Sequence, residues 1–182
     1  MIAHDPQRRS FLKLGLAGSA ALSVAGIGGA LYGCGARTVA AAQGFAYLRD
    51  GDLVLFRALI PAVLEGQAVS ASDVETILKG IDFAGRSLGA GAQSEVRKLL
   101  DLLQLPLARR FAAGLPHDWK DASVGEVGAF LERWRTSRVG LFNAGYRALD
   151  KFVTVTWYGL PQARAGSGYP GPLEFVYKAV NA

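Results

Sequence analysis

Residues 138–159 read RVGLFNAGYRALDKFVTVTWYG, and the fold class turns on them. The run Phe152-Val153-Thr154-Val155-Thr156-Trp157-Tyr158 has the β-branched and aromatic content of a strand. Upstream, Phe142, Tyr146, Leu149 and Val153 recur at helical steps, and that period runs on into the same stretch. The longer pattern decides the reading: one helix from Arg138 to Tyr158, stopped by Gly159 and Pro161. Leu141, Phe142, Leu149, Phe152, Val153 and Val155 spread around much of its circumference, so this helix is expected to be central and largely buried.

Helical periodicity continues toward the N-terminus. Ser123 and Glu126 have capping-box spacing and open a helix to Trp134 with Val127, Phe130 and Leu131. Thr136-Ser137 bends or separates it from the last helix. Leu115 to Ala122 reads as a loop holding Pro116, His117, Asp118 and Trp119, after a short helix from Leu107 to Ala113 that Pro106 starts and Gly114 ends. Ser94 through Leu105 is a helix with Val96, Leu99, Leu100 and Leu103 on one face, and Gly89-Ala90-Gly91 is a breaker before it. Ser72 with Glu75 is expected to cap a helix carrying Val74, Ile77, Leu78, Ile81 and Phe83. Leu53, Phe56, Ile60, Val63 and Leu64 mark another helix, interrupted at Pro61 and ended at Gly66. The expected architecture is all-α: a compact, irregular bundle of about five to seven helices. Residues 37–182 form it as one domain, large enough to bury roughly two-thirds of the surface of its unfolded chain.

An N-terminal signal or anchor helix precedes that bundle. Arg8-Arg9 is followed by Ser10, Phe11, Leu12 and Lys13, then by 21 uncharged residues from Leu14 to Cys34. Arg8, Arg9, Phe11, Leu12 and Lys13 closely resemble the twin-arginine export consensus, with Gln7 where Ser or Thr is usual. Six glycines keep the core only mildly hydrophobic, which suits that route and weakens the stretch as a permanent helix. Three fates fit residues 1–36. Leu31-Tyr32-Gly33-Cys34 is an imperfect lipobox that would lipidate Cys34. Cleavage fits near Ala36 or Ala40–Ala42. An uncleaved anchor fits the length, since a bilayer needs about 20 residues. Each places the domain in the periplasm, free or held at the inner membrane.

Composition removes several function classes. At 51% hydrophobic and 19% charged, the 182-residue chain is no disordered tail. Cys34 is the sole cysteine, which excludes a disulfide scaffold and a Cys-rich zinc site. The net charge of +5 owes two units to the leader, and Arg109-Arg110 and Arg133, Arg135 and Arg138 are short groups interrupted by apolar residues, so no nucleic-acid stripe is present. There is no dinucleotide fingerprint, Walker loop, CxxCH or HExxH. His117 reads as a solvated loop histidine rather than a metal ligand. Asp150 is a structural or surface carboxylate in preference to a general base. No nucleophile–base pair assembles from these residues. The expectation is a chain with no catalytic, cofactor or metal residues of its own.

The C-terminal end offers a recognition surface instead. Trp157, Tyr158, Arg164, Tyr169 and Pro170 belong to the residue types that anchor interfaces, and residues 162–172 form a long Gly/Pro-rich loop. The opposing reading is that Trp157 and Tyr158 complete the core and the loop caps it. Leu173 to Val180 reads as a short terminal helix.

Taken with the leader, the residues Asn143, Arg147-Ala148-Leu149, Trp157-Tyr158-Gly159 and Gly168-Tyr169-Pro170-Gly171-Pro172 resemble the gluconate 2-dehydrogenase subunit 3-like proteins. These are small subunits of flavin-dependent dehydrogenases of the glucose-methanol-choline type. The resemblance covers the leader well and the last forty residues loosely. It implies a non-catalytic accessory subunit whose twin-arginine signal carries the folded, FAD-loaded catalytic subunit through the translocase and which then stays bound. Such small subunits often carry several cysteines, whereas Cys34 stands alone here. The competing reading is a stand-alone exported lipoprotein or anchored domain that binds a small apolar ligand or an envelope partner.

Overall fold

The computed structural model describes residues 40–163. Arg8, Arg9, Phe11, Leu12, Lys13 and Cys34 of the leader lie outside the described residues. So do Arg164, Tyr169 and Pro170, with the remainder of the expected loop and the expected helix from Leu173 to Val180, whereas Gln162 and Ala163, expected in that loop, are helical. The described residues are all-α: six α-helices, one 3-10 turn and no strand. The helices are α1 (Asp50–Val63), α2 (Ala71–Ser87), α3 (Ala90–Gln104), α4 (Pro106–Phe111), α5 (Val124–Arg135) and α6 (Gly140–Gly159), with the 3-10 turn at Trp119–Asp121.

Local chemistry sets most of the boundaries. The Ser123–Glu126 box opens α5: the Glu126 backbone N–H donates to Ser123 Oγ, and the Ser123 backbone N–H donates to the Glu126 carboxylate at 2.9 Å. The cap of α2 is Ser70 with Asp73, not Ser72 with Glu75. Both pairs have the same spacing. Ser72 is already helical, and Glu75 instead accepts from Arg57 of α1 at 3.0 Å. The break between α2 and α3 is confined to Leu88 and Gly89, so Ala90 and Gly91 belong to the helix. Pro106 sits in the first turn of α4, where its missing N–H costs nothing. Phe152 to Tyr158 is helical, as the longer period requires.

Helix α1 occupies the centre. It packs against α2, α3, α5, α6 and the 3-10 turn. Leu55, Phe56, Leu59 and Ile60 are fully buried, and Leu53 nearly so. Each such side chain stabilises by about 1.5–3 kcal/mol on burial. An aromatic row ties the turn, α5 and α6 together: Phe130 meets Trp119 and Trp134 edge to face, and Trp134 stacks on Phe142 at 5.1 Å. The indole N–H of Trp119 donates to the Leu103 carbonyl, and that of Trp134 to the Ala112 carbonyl. Gly145 lets α6 approach this row, since a Cβ there would fall 2.5 Å from the Trp134 ring.

The expectation that α6 is central and largely buried is corrected. Gly145, Leu149, Val153 and Trp157 are buried, a single face at four-residue steps. Leu141 and Val155 remain 71% and 61% exposed. α1 has taken the middle of the bundle because its apolar arc is interrupted only by Asp52, whose charge is met by Arg97. α6 carries Arg147 and Lys151 on its other side, and these cannot enter a core unpaired.

Candidate functional site

A helix advances 100° per residue, so α6 presents two apolar stripes. The first, Gly145-Leu149-Val153-Trp157, faces the bundle. The second is Leu141, Ala144, Ala148, Phe152 and Val155, again at steps of three and four. Its Ala148, Phe152 and Val155 line an apolar groove with a volume of about 300 Å³, half open to solvent. Ala148, Lys151, Phe152, Val155 and Thr156 of α6 form one wall. Ala84, Leu88, Ala92 and Val96, from α2 and α3, form the other. Phe152 belongs to both sides of the helix: it lines the groove and meets the core residue Phe56 edge to face at 6.2 Å.

Beside the groove α2 and α6 pack closely. The contact is Gly80 against Thr156, where a Cβ on Gly80 would lie 2.3 Å from the Thr156 methyl. Only glycine permits that approach. Arg147 and Lys151, one turn apart and exposed, flank the second stripe. Neither has an ion-pair or hydrogen-bond partner among the described residues.

The residues singled out from sequence fall as follows. Trp157 is 3% exposed and belongs to the core, with its indole N–H unpartnered among the described residues. Tyr158, next to it, is half exposed. Asp150 is half-buried; burial holds its carboxyl above the ordinary range, and the Tyr146 hydroxyl only partly opposes this. Burial, with the Asp150 charge behind it, likewise pushes the Tyr146 hydroxyl up. His117 Nε2 lies 3.0 Å from Glu126 Oε1. That hydrogen bond raises the imidazole above its usual value, while hydrogen bonds from Ser123 and then His117 take Glu126 down to about 2. The histidine thus serves the cap of α5. Among the described residues no group of His, Cys, Asp or Glu is placed to hold a metal ion, and no helix is long and apolar enough to cross a membrane.

Two polar devices were not read from the sequence. Asp82 is buried and accepts the backbone N–H groups of Ala46, Tyr47 and Leu48 at 2.8 to 3.1 Å. Burial works to raise its carboxyl. The three N–H groups and the nearby Arg86 outweigh burial and leave it below the ordinary range. Asp52, also buried, receives Arg97 Nη2 at 2.7 Å, and Asp101 extends the network to Arg49. The available signal was position. Asp82 is four residues from Leu78 and Asp52 four from Phe56, so each carboxylate sits on the apolar face of its helix.

Compared with protein-family models, curated proteins and solved structures, the chain matches none.

Proposed function

We propose that this protein is a non-catalytic accessory subunit, exported by the twin-arginine route, that binds the catalytic subunit of a flavin-dependent dehydrogenase in the periplasm. FAD belongs to that partner, and this chain holds no cofactor. The supporting observation is the second stripe of α6. A helix that is apolar on two sides but buried on one leaves a surface that water does not favour, and such patches mark interaction sites. The leader sequence supplies the route, and the resemblance of the last forty residues supplies the class of partner. The twin-arginine route carries folded cargo, which suits a partner that must take up its flavin before export.

The experiment is purification of the tagged protein from its native host, with mass spectrometry and a flavin absorbance scan. A stoichiometric yellow partner lacking its own signal peptide is expected. A colourless monomer overturns the reading. Lysine at both Arg8 and Arg9 is expected to leave the protein and its partner together in the cytoplasm.

A second reading has an observation in its favour. The groove is lined almost wholly by carbon and has the volume of a small ligand site. A stand-alone exported domain that binds a small apolar molecule would use it. Native mass spectrometry of the purified chain separates the two, because only this reading expects a retained small molecule and no protein partner.

A further inference from the structure

The occupant of the α6 groove has a chemistry that its walls specify. We infer that the groove seats an amphipathic helix of a protein partner, apolar on the face that enters and carrying Asp or Glu along one flank. This rests on the accessory-subunit reading only for the partner's being a flavoprotein.

Shape is the first argument. The groove is concave and lies between α6 and the α2–α3 corner. Ala84, Ala92 and Ala148 on its walls leave room for another backbone to come close. Its α6 wall runs from Ala148 to Thr156, about 12 Å, roughly two turns of a partner helix. A bilayer surface is matched by a convex apolar face, which this is not.

Charge is the second. Arg49, Arg57, Arg97, Lys98, Arg109 and Arg135 are the described arginines and lysines that enter side-chain ion pairs, and none of them lines or flanks the groove's α6 wall. Arg147 and Lys151, which flank the stripe, have no such partner among the described residues. The acid nearest them in sequence, Asp150, is engaged with Tyr146. A pair of cations beside an apolar stripe, without an ion-pair partner among the described residues, selects a partner with complementary carboxylates. It also argues against a second copy of this chain. A two-fold axis through the middle of the stripe, at Ala148, would bring the Arg147 and Lys151 of both copies together.

The test is photo-crosslinking of the full-length chain in its native host, with p-benzoylphenylalanine replacing Val155 and, as a comparison, replacing exposed Phe111 on α4. The expected Val155 adduct is one peptide from another protein, apolar at helical steps with Asp or Glu beside them. Adducts to phospholipid, to a second copy or to this chain itself overturn the inference, as does no adduct at Val155. The double variant R147E/K151E should lower the adduct yield about tenfold. K120E, a change at an exposed lysine in the 3-10 turn, should not lower it. Circular dichroism checks that both fold. An undiminished yield in the double variant overturns the charge argument. An acidic helix from a flavin-free protein keeps this inference and sinks the accessory-subunit reading. A flavoprotein captured only at Phe111 does the reverse.

Discussion

Helix α1 has 14 residues and packs against five other elements, while α6 has 20 residues and turns one apolar face to the bundle and another to solvent. Both carry enough Leu, Phe and Val to drive burial. α1 satisfies that drive within the chain, with Leu55, Phe56, Leu59 and Ile60 wholly enclosed. α6 satisfies half of it, through Leu149, Val153 and Trp157, and leaves Leu141, Val155 and Tyr158 exposed. Hydrophobicity thus states that a surface is to be covered and is silent on whether the cover lies in the same chain.

The contrast can be broken by mutation. The largest effect is expected from Phe56→Ala, which removes a fully buried ring and its edge contact with Phe152. It should cost about 3–5 kcal/mol in denaturant unfolding, whereas Val155→Ala on the open stripe should stay within about 0.5 kcal/mol. Comparable losses at the two sites would mean that α6 is not a half-covered helix. Next, Asp82→Ala leaves the N–H groups of Ala46, Tyr47 and Leu48 without their acceptor, for about 2–3 kcal/mol. Because the folded carboxyl lies below its ordinary value of 3.8, its contribution is present above that pH and fades as pH falls through the lower folded value. An acid-unfolding curve that is steeper in the wild type than in the variant is the expected record.

Smaller effects sharpen the picture away from the core. Ser123→Ala should cost about 1 kcal/mol by removing the cap of α5. A thermal melt unchanged in that variant would show the cap to be dispensable. The smallest effect is at His117. Its imidazole is raised, so its support is present below the ordinary 6.5 and is lost as pH climbs through the folded value. Glu126, lowered to about 2, contributes above 4.5 and loses that contribution as pH drops through about 2. The two overlap between 4.5 and 6.5. An NMR titration should put the His117 midpoint above 6.5, and Glu126→Gln should return it toward that value. A wild-type midpoint at or below 6.5 removes the link.

The helices themselves were legible because periodicity is a local property. Val127, Phe130, Leu131 and Trp134 are all buried in α5, at the spacing that marked them. The strand-like run from Phe152 was correctly overridden by the longer helical period. Which Ser–acid pair caps α2 was not legible, since Ser70–Asp73 and Ser72–Glu75 have one spacing and only the fold brings Arg57 to Glu75. Nor was the central helix. The number of neighbours around α1 or α6 depends on contacts distant in sequence, and so does the groove, whose walls come from α2, α3 and α6. Asp82 and Asp52 stood on apolar faces in the sequence, but Leu48 and Arg97, which meet them, lie more than 30 residues away.

The clasp at Asp82 has a mechanical meaning. The stretch from Ala42 to Leu48 is closed on itself by the Ala42 N–H donating to the Leu48 carbonyl, and Lys79 holds the Gly44 carbonyl from α2. Tension applied to the backbone ahead of Ala42 therefore enters the bundle through this short stretch and is borne by α2. Three N–H groups converge on one carboxylate there, so they share the load rather than parting in sequence. A tug on the N-terminal segment is met at this clasp and handed to α2, one of the helices that frame the groove.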